Sequence, residues 1–184
     1  MNLRNLGIDS GWTLFLDRDG VINRRIAGDY VKTWEQFEFI PGVKESLKIL
    51  ASVFGKILIV TNQQGIGKRL MTGEDLEKIH AKMVEAVSRA GGRIDGVYFS
   101  PHLEEEGSFL RKPAIGMALQ ARRDFPGINL RKSVMAGDSK SDMVFGHRCG
   151  MKTVFIAGDP TILKEHHRII DFSFPDLFTF AEAL

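Results

Sequence analysis

The chain has 184 residues, of which 43% are hydrophobic and 26% charged, with a net charge of +2. Basic residues cluster no further than pairs such as Arg24-Arg25 and Arg122-Arg123, which excludes a nucleic-acid-binding field. The one cysteine, Cys149, excludes an internal disulfide framework and a cysteine-rich zinc site, and no apolar run approaches the ~20 residues of a membrane span. Met1 to Asp9 has no apolar stretch, so no signal peptide is expected. The chain reads as one cytoplasmic domain over residues 1–184, a monomer without nucleic-acid or membrane partners.

The first apolar run, Trp12 to Leu16, stops at Asp17. A helix follows, with Val43, Leu47, Leu50 and Ala51 on one face. The second run, Lys56 to Val60, stops at Thr61. The next helix carries Leu76, Ile79, Met83, Val84 and Val87 as its apolar stripe, with Thr72 as N-cap, Asp75 as its capping-box partner and Gly91-Gly92 as its stop. Gly96 to Phe99 forms a third run ending at Ser100, and a helix is predicted over Gly116 to Arg123, stopped by Pro126-Gly127. Ser133 to Ala136 ends at Gly137-Asp138, and a helix is predicted over Ser141 to Arg148 with Gly150 after it. Lys152 to Ile156 is the last run, and Pro175 to Leu184 is predicted as a short terminal helix. Cys149 reads as a small buried residue, and Trp12, Trp34 and the tail phenylalanines Phe172, Phe174, Phe178 and Phe180 read as core.

Short, continuous apolar runs between amphipathic helices describe strands buried on both faces, hence an α/β doubly wound parallel sheet. Ligands of such sheets bind beyond the carboxyl ends of the strands. Asp17, Thr61, Ser100 and Asp138 would share that rim.

Asp17 and Asp19 stand two residues apart beyond a strand, a spacing that aims both carboxylates the same way. Converging carboxylates repel unless a cation sits between them. Asp138 and Asp142 add more carboxylate oxygen, the hard donor set that suits Mg²⁺. A carboxylate beside Mg²⁺ can attack phosphorus and form an aspartyl-phosphate. Thr61 and Asn62 supply a hydroxyl and an amide, Lys112 a cation, and the helix after Pro113 is expected to present free N–H groups to a phosphate. Singly, each has an ordinary reading: an Asp after a strand makes a turn, and a lysine is solvated. Gly158-Asp159 also follows a strand but lacks an acid four residues on, and reads as a turn. The ordered set carries the signal.

These residues resemble the haloacid dehalogenase (HAD) superfamily of phosphohydrolases, whose four motifs match Asp17-Arg18-Asp19-Gly20, Thr61, Lys112, and Asp138 with Asp142. The resemblance implies that Asp17 is the nucleophile and a Mg²⁺ ligand. Asp19 would protonate the leaving oxygen, later activate water, and bind Mg²⁺ through its carbonyl. Thr61 and Lys112 would hold the phosphoryl oxygens. Asp138 would be a further ligand, with Asp142 in the metal's outer shell. Asp17 to Asn23, Tyr30-Val31, Phe37 to Val43, Thr61 to Ile66 and Arg111-Lys112-Pro113 are further similar to the heptose 1,7-bisphosphate phosphatase and histidinol-phosphatase group, a likeness running from about Leu14 to Gly158. It implies substrate contacts from Arg18, Tyr30, Asn62, Gln63, Gln64, Arg111, Ser139 and the loop Ala27 to Tyr30.

The group's zinc loop, with three cysteines and a histidine before Arg-Lys-Pro, is here Ser100-Pro101-His102 and Ser108-Phe109-Leu110. One imidazole cannot hold a structural zinc, so none is expected and His102 reads as a loop residue, with a direct substrate contact as the alternative. The intervals Asp17–Thr61 and Thr61–Lys112 leave no room for a cap domain, which predicts an open site shaped by loops. The expected activity is Mg²⁺-dependent removal of the 7-phosphate of a heptose 1,7-bisphosphate. Histidinol phosphate or another small sugar phosphate is the alternative. A receiver-type phospho-acceptor and a catalytically dead binding protein are the other classes weighed.

Overall fold

A computed structural model describes residues 3–156 and 159–184. Its strands are β1 (Thr13–Leu16), β2 (Lys56–Asn62), β3 (Gly96–Ser100), β4 (Ser133–Gly137), β5 (Lys152–Ile156) and β6 (Phe172–Phe174). Its helices are α1 (Val43–Val53), α2 (Gly73–Arg89), α3 (Gly116–Asp124), α4 (Lys140–Arg148), α5 (Pro160–Glu165) and α6 (Leu177–Glu182). The six strands form one sheet in the order β3-β2-β1-β4-β5-β6, parallel throughout. This is the predicted α/β architecture.

Strand side chains alternate between two faces, and the core divides accordingly. Leu14, Leu16, Ile57 and Ile59 pack with Leu47 and Leu50 of α1, Leu76 and Met83 of α2, and Phe180 of α6. Phe15, Leu58, Val60 and Met135 pack on the other face with Met117 and Ala121 of α3 and Phe145 of α4. Both faces are covered, which is why the strands read as unbroken apolar runs.

Strand order reverses between β1 and β4, the switch point where such sheets bind ligands. Leu16 is level with Ala136 of β4 and Ile59 of β2, so Asp17, Asp138 and Thr61 emerge side by side. The segment between β1 and β2 holds a short 3₁₀ turn, Trp34–Gln36, and α1, while α2 lies between β2 and β3.

The structure amends several expectations. The helix α4 begins at Lys140 rather than Ser141, because Ser139 is its N-cap in a capping box with Asp142. The helix α3 runs one residue further, to Asp124. Strand β6 and helix α5 were not anticipated. The reading of Gly158 lies outside the described residues, and Asp159 is no simple turn residue: it caps α5 by accepting from the Thr161 N–H. Cys149 is half-buried rather than buried, and burial pushes its thiol up to about 12. Trp12 and Phe180 are buried, whereas Trp34, Phe172, Phe174 and Phe178 are only partly so. The Thr72–Asp75 capping box on α2 is present as read.

Candidate active site

The switch point opens into a cavity of about 320 Å³, lined among others by Asp17, Asp19, Arg25, Tyr30, Thr61, Gln64, Arg111, Lys112 and Ser139. That volume lies at the small end of the range for small-molecule sites. Asp17 stands at its floor. Its backbone N–H donates to the Ala136 carbonyl at 3.0 Å, which continues the β1–β4 ladder one residue past the strand. Its Oδ1 accepts from Lys112 Nζ at 2.9 Å and from the Arg18 N–H at 2.8 Å. Burial, then repulsion from Asp142, push its carboxyl up to about 6 against the pull of Lys112.

Lys112 is 3% exposed. Its ammonium also donates to Asp142 Oδ1 at 2.5 Å and to the Val60 carbonyl at 2.7 Å, so its three protons all have protein acceptors. Burial works against that charge, but Asp142 and Asp17 hold it well above the ordinary lysine value. Asn62, named as a substrate contact, pairs both ways with the Lys112 backbone at 3.0 Å and so fixes the lysine's loop to the end of β2. The helix expected to offer free amides after Pro113 starts only at Gly116, whose N–H already donates to the Phe109 carbonyl.

The two acids of the first motif part company. The spacing argument aimed Asp19 at the same point as Asp17, yet its carboxylate turns aside. Both its oxygens accept from Arg18 Nη2 at 2.9 Å, Oδ1 from Asn23 at 2.9 Å and Oδ2 from Gln63 at 2.7 Å. Burial alone would raise its pKa, but the Arg18 charge and these hydrogen bonds outweigh it and hold the carboxyl below its ordinary value.

Arg18 itself was expected to touch substrate. It is fully buried, does not line the cavity, and spends its guanidinium on Asp19, Gln63 and His80. Gln63 is also buried, with Nε2 bonded to Asp19 and Thr61 and Oε1 to Arg18. Of the other residues named for substrate, Gln64 donates to the Tyr30 hydroxyl at 2.8 Å across the cavity wall. Arg111 donates to the His102 carbonyl, and Ser139 holds Asp142 through the α4 cap. His102 Nδ1 lies 2.7 Å from Glu106 Oε2 on the neighbouring loop.

One oxygen from each of Asp17, Asp138 and Asp142 falls within a 4.8 Å cluster. Burial, then Asp17, push Asp138 up to about 8. The cluster is short of positive charge, and Arg25 supplies some of it. Its Nε donates to the Asp19 carbonyl at 2.8 Å, its Nη2 to Asp138 Oδ1 at 2.6 Å, and Nη2 lies 3.8 Å from Asp17 Oδ2. A guanidinium thus stands in at the oxygens that Mg²⁺ would coordinate, and three carboxylates plus a carbonyl fit that hard cation. Gly20 makes this approach possible. Its φ is +93°, and a Cβ there would lie 1.9 Å from Asp138 Oδ2.

Sequence reasoning missed Arg25 and His80. Arg25 was seen only as half of a basic pair. His80 left a clearer signal, a histidine on the apolar stripe of α2 beside Ile79 and Met83.

Comparison with known proteins agrees with this geometry. Residues 109–177 match the family described as HAD-hyrolase-like. The chain is 38% identical to a D-glycero-alpha-D-manno-heptose-1,7-bisphosphate 7-phosphatase of Mycobacterium bovis, over 94% of this chain and 91% of that one. It is 41% identical to the D-glycero-beta-D-manno-heptose-1,7-bisphosphate 7-phosphatase of Helicobacter pylori, over 76% of this chain and 79% of that one. Among solved structures, the D,D-heptose 1,7-bisphosphate phosphatase of B. bronchiseptica, complexed with magnesium and phosphate, superposes with a TM-score of 0.83 at 26% identity, covering 92% of this chain and 96% of that one.

Proposed function

The chain belongs to the heptose-1,7-bisphosphate 7-phosphatase family of HAD-like hydrolases and is a phosphatase, and from that premise we propose that it removes the 7-phosphate of D-glycero-D-manno-heptose 1,7-bisphosphate with Mg²⁺. The observation that carries the reading is Asp17 at the switch point, gripped at Oδ1 by Lys112, with Asp138 beside it.

Asp17, Asp138 and the Asp19 carbonyl would hold Mg²⁺, with Asp142 behind them. The bound ion would neutralise charge on the phosphoryl group. An Asp17 carboxylate oxygen attacks phosphorus as the bond to the sugar O7 breaks. Asp19 passes a proton to that O7, so the sugar leaves as an alcohol. The entering phosphate is itself negative and raises the proton affinity of the Asp19 carboxylate, offsetting Arg18. Asp19 then takes a proton from the water that attacks the aspartyl-phosphate, and inorganic phosphate leaves as the Asp17 carboxylate reforms. Lys112 holds Asp17 charged and aligned, and Thr61 offers a hydroxyl to the phosphoryl oxygens. Tyr30, Gln64, Arg111 and Ser139 line the path of the sugar, and Arg111 suits the second phosphate.

The whole chain acts as one capless cytoplasmic domain. Among the described residues no helix is long and apolar enough to cross a membrane. We propose no zinc, since His102 offers one imidazole already paired with Glu106. Stoichiometric zinc in a metal analysis would sink that statement.

The decisive experiment ranks kcat/KM for both heptose bisphosphate anomers, histidinol phosphate and simple sugar monophosphates. One heptose bisphosphate anomer should lead. A flat ranking, or histidinol phosphate in the lead, would overturn the substrate assignment.

A further inference from the structure

We infer that His80 is a positioning residue for the proton-transferring carboxylate of Asp19, acting through the buried guanidinium of Arg18. The inference rests on the acid–base role of Asp19 stated above and assigns a function to a residue outside the cavity.

A fully buried arginine needs every contact it has. Arg18 Nη2 donates to both Asp19 oxygens at 2.9 Å and to Gln63 Oε1 at 3.2 Å. Its Nε is buried with no partner. Nη1 faces His80 Nε2 at 3.1 Å. The guanidinium is a rigid plane, so its direction is set by what holds its two ends. Asp19 and Gln63 hold one end and His80 holds the other. Without an acceptor at Nη1 the plane can pivot about Nη2, and the Asp19 carboxylate, left to Asn23 and Gln63, tilts.

His80 is built to be that acceptor. It lies in the middle of α2, 7% exposed, with its ring edge-on to Phe99 at 6.0 Å. Accepting at Nε2 requires the neutral ring with its proton on Nδ1. Burial, then the neighbouring Arg18 charge, push its pKa down to about 3, so the ring stays neutral across the working range. The Thr72–Asp75 box fixes where α2 begins and hence which residue reaches Arg18.

A tilted Asp19 would fail in delivering a proton to the leaving oxygen, and less in binding phosphate. The loss should therefore depend on the leaving group. A sugar alkoxide needs the proton, whereas p-nitrophenolate leaves without it. The ratio kcat/KM reports the step in which the leaving group departs.

The test compares wild type, His80→Leu and His80→Gln on a sugar phosphate and on p-nitrophenyl phosphate, with Tm and Mn²⁺ affinity measured alongside. His80→Leu should lose about tenfold or more on the sugar phosphate, a fraction of the roughly 10²–10⁴ that a general acid contributes. It should lose about threefold or less on the aryl phosphate, with Mn²⁺ affinity unchanged. His80→Gln, whose amide oxygen can accept from Arg18, should recover most of the loss. Equal losses on both substrates, no loss, or a Gln variant no better than Leu would each overturn the inference. Should His80→Leu not fold, His80→Asn, polar but too short to reach Arg18, takes its place. A wild-type enzyme inactive on every phosphomonoester would overturn the acid–base reading instead.

Discussion

Lys112 and Asp17 lie far apart in the chain, yet Lys112 Nζ meets Asp17 Oδ1 at 2.9 Å in a setting where both side chains are under a tenth exposed. The same ammonium bonds Asp142, which is fully buried. One cation therefore bridges two buried carboxylates, and it joins the loop before α3 to the end of β1 and the first turn of α4.

Replacing Lys112 with Met leaves both acids buried without the ammonium that bridges them. Removing one partner of a buried pair costs about 3–5 kcal/mol. Chemical denaturation should show a loss of that order, and phosphate release should fall below detection. A variant of near wild-type stability would show that the pair is not coupled as described.

Asp17→Asn keeps the shape of the side chain and its contact with Lys112 but removes the proposed nucleophile. The variant should fold, retain its far-ultraviolet spectrum, release no phosphate and trap no phosphorylated chain in acid-quenched mass spectra. Residual turnover within about tenfold of wild type would place the nucleophile elsewhere, since loss of an essential catalytic group costs many powers of ten.

Arg25 occupies the oxygens that would bind metal, so a divalent cation has to displace it. Its side chain is 52% exposed, and ion pairs of that kind are worth roughly 0.2–1 kcal/mol. Arg25→Ala should bind Mn²⁺ more tightly by about 1.4- to fivefold, as read by calorimetry or by the electron paramagnetic signal of the free ion. Chelation with EDTA should stop turnover in both proteins. Weaker Mn²⁺ binding by the variant would make Arg25 a supporter of the metal rather than its rival.

The buried neutral His80 links stability to pH. Its folded pKa of about 3 lies below its ordinary 6.5. Above pH 6.5 neither folded nor unfolded chain protonates it. Between those values the unfolded chain binds a proton that the folded one refuses, so stability is full at neutral pH and falls as pH drops. The slope approaches about 1.4 kcal/mol per pH unit for one proton. His80→Gln lacks this contribution, and its Tm should fall less than that of wild type between pH 7 and 5. Parallel Tm curves would show that His80 titrates normally in the fold.

Features decided by local pattern could be read directly from the sequence. Unbroken apolar runs revealed β1 to β5, because a strand covered on both faces has no polar side. Thr72 with Asp75 revealed the start of α2, because capping depends on neighbours three residues apart. Asp17, Thr61 and Asp138 could be placed on one rim because each sits at or just past the end of a strand, whereas Lys112 lies in the loop before α3. The three-residue β6 was not legible, since Phe172-Ser173-Phe174 is too short for a period to show and forms only by pairing with β5.

Tertiary structure alone decided where the polar side chains point. Spacing put Asp17 and Asp19 on the same side, but Arg18, Asn23 and Gln63 together draw Asp19 away. By residue type Arg18 belongs at a surface or on a substrate. It is buried because Asp19, Gln63 and His80, drawn from three segments of chain, supply the acceptors that one segment cannot. Arg25 likewise reaches the oxygens proposed to hold the metal because the β1–β4 register sets Asp138 beside Asp17. The sequence by itself determined strands β1 to β5, the helices α1 to α4 between them and the residue types at the strand ends, because these follow from local periodicity and residue type. The partners of each charge were settled by which distant segments the sheet order brings together, because electrostatic pairing depends on distance in space and not along the chain.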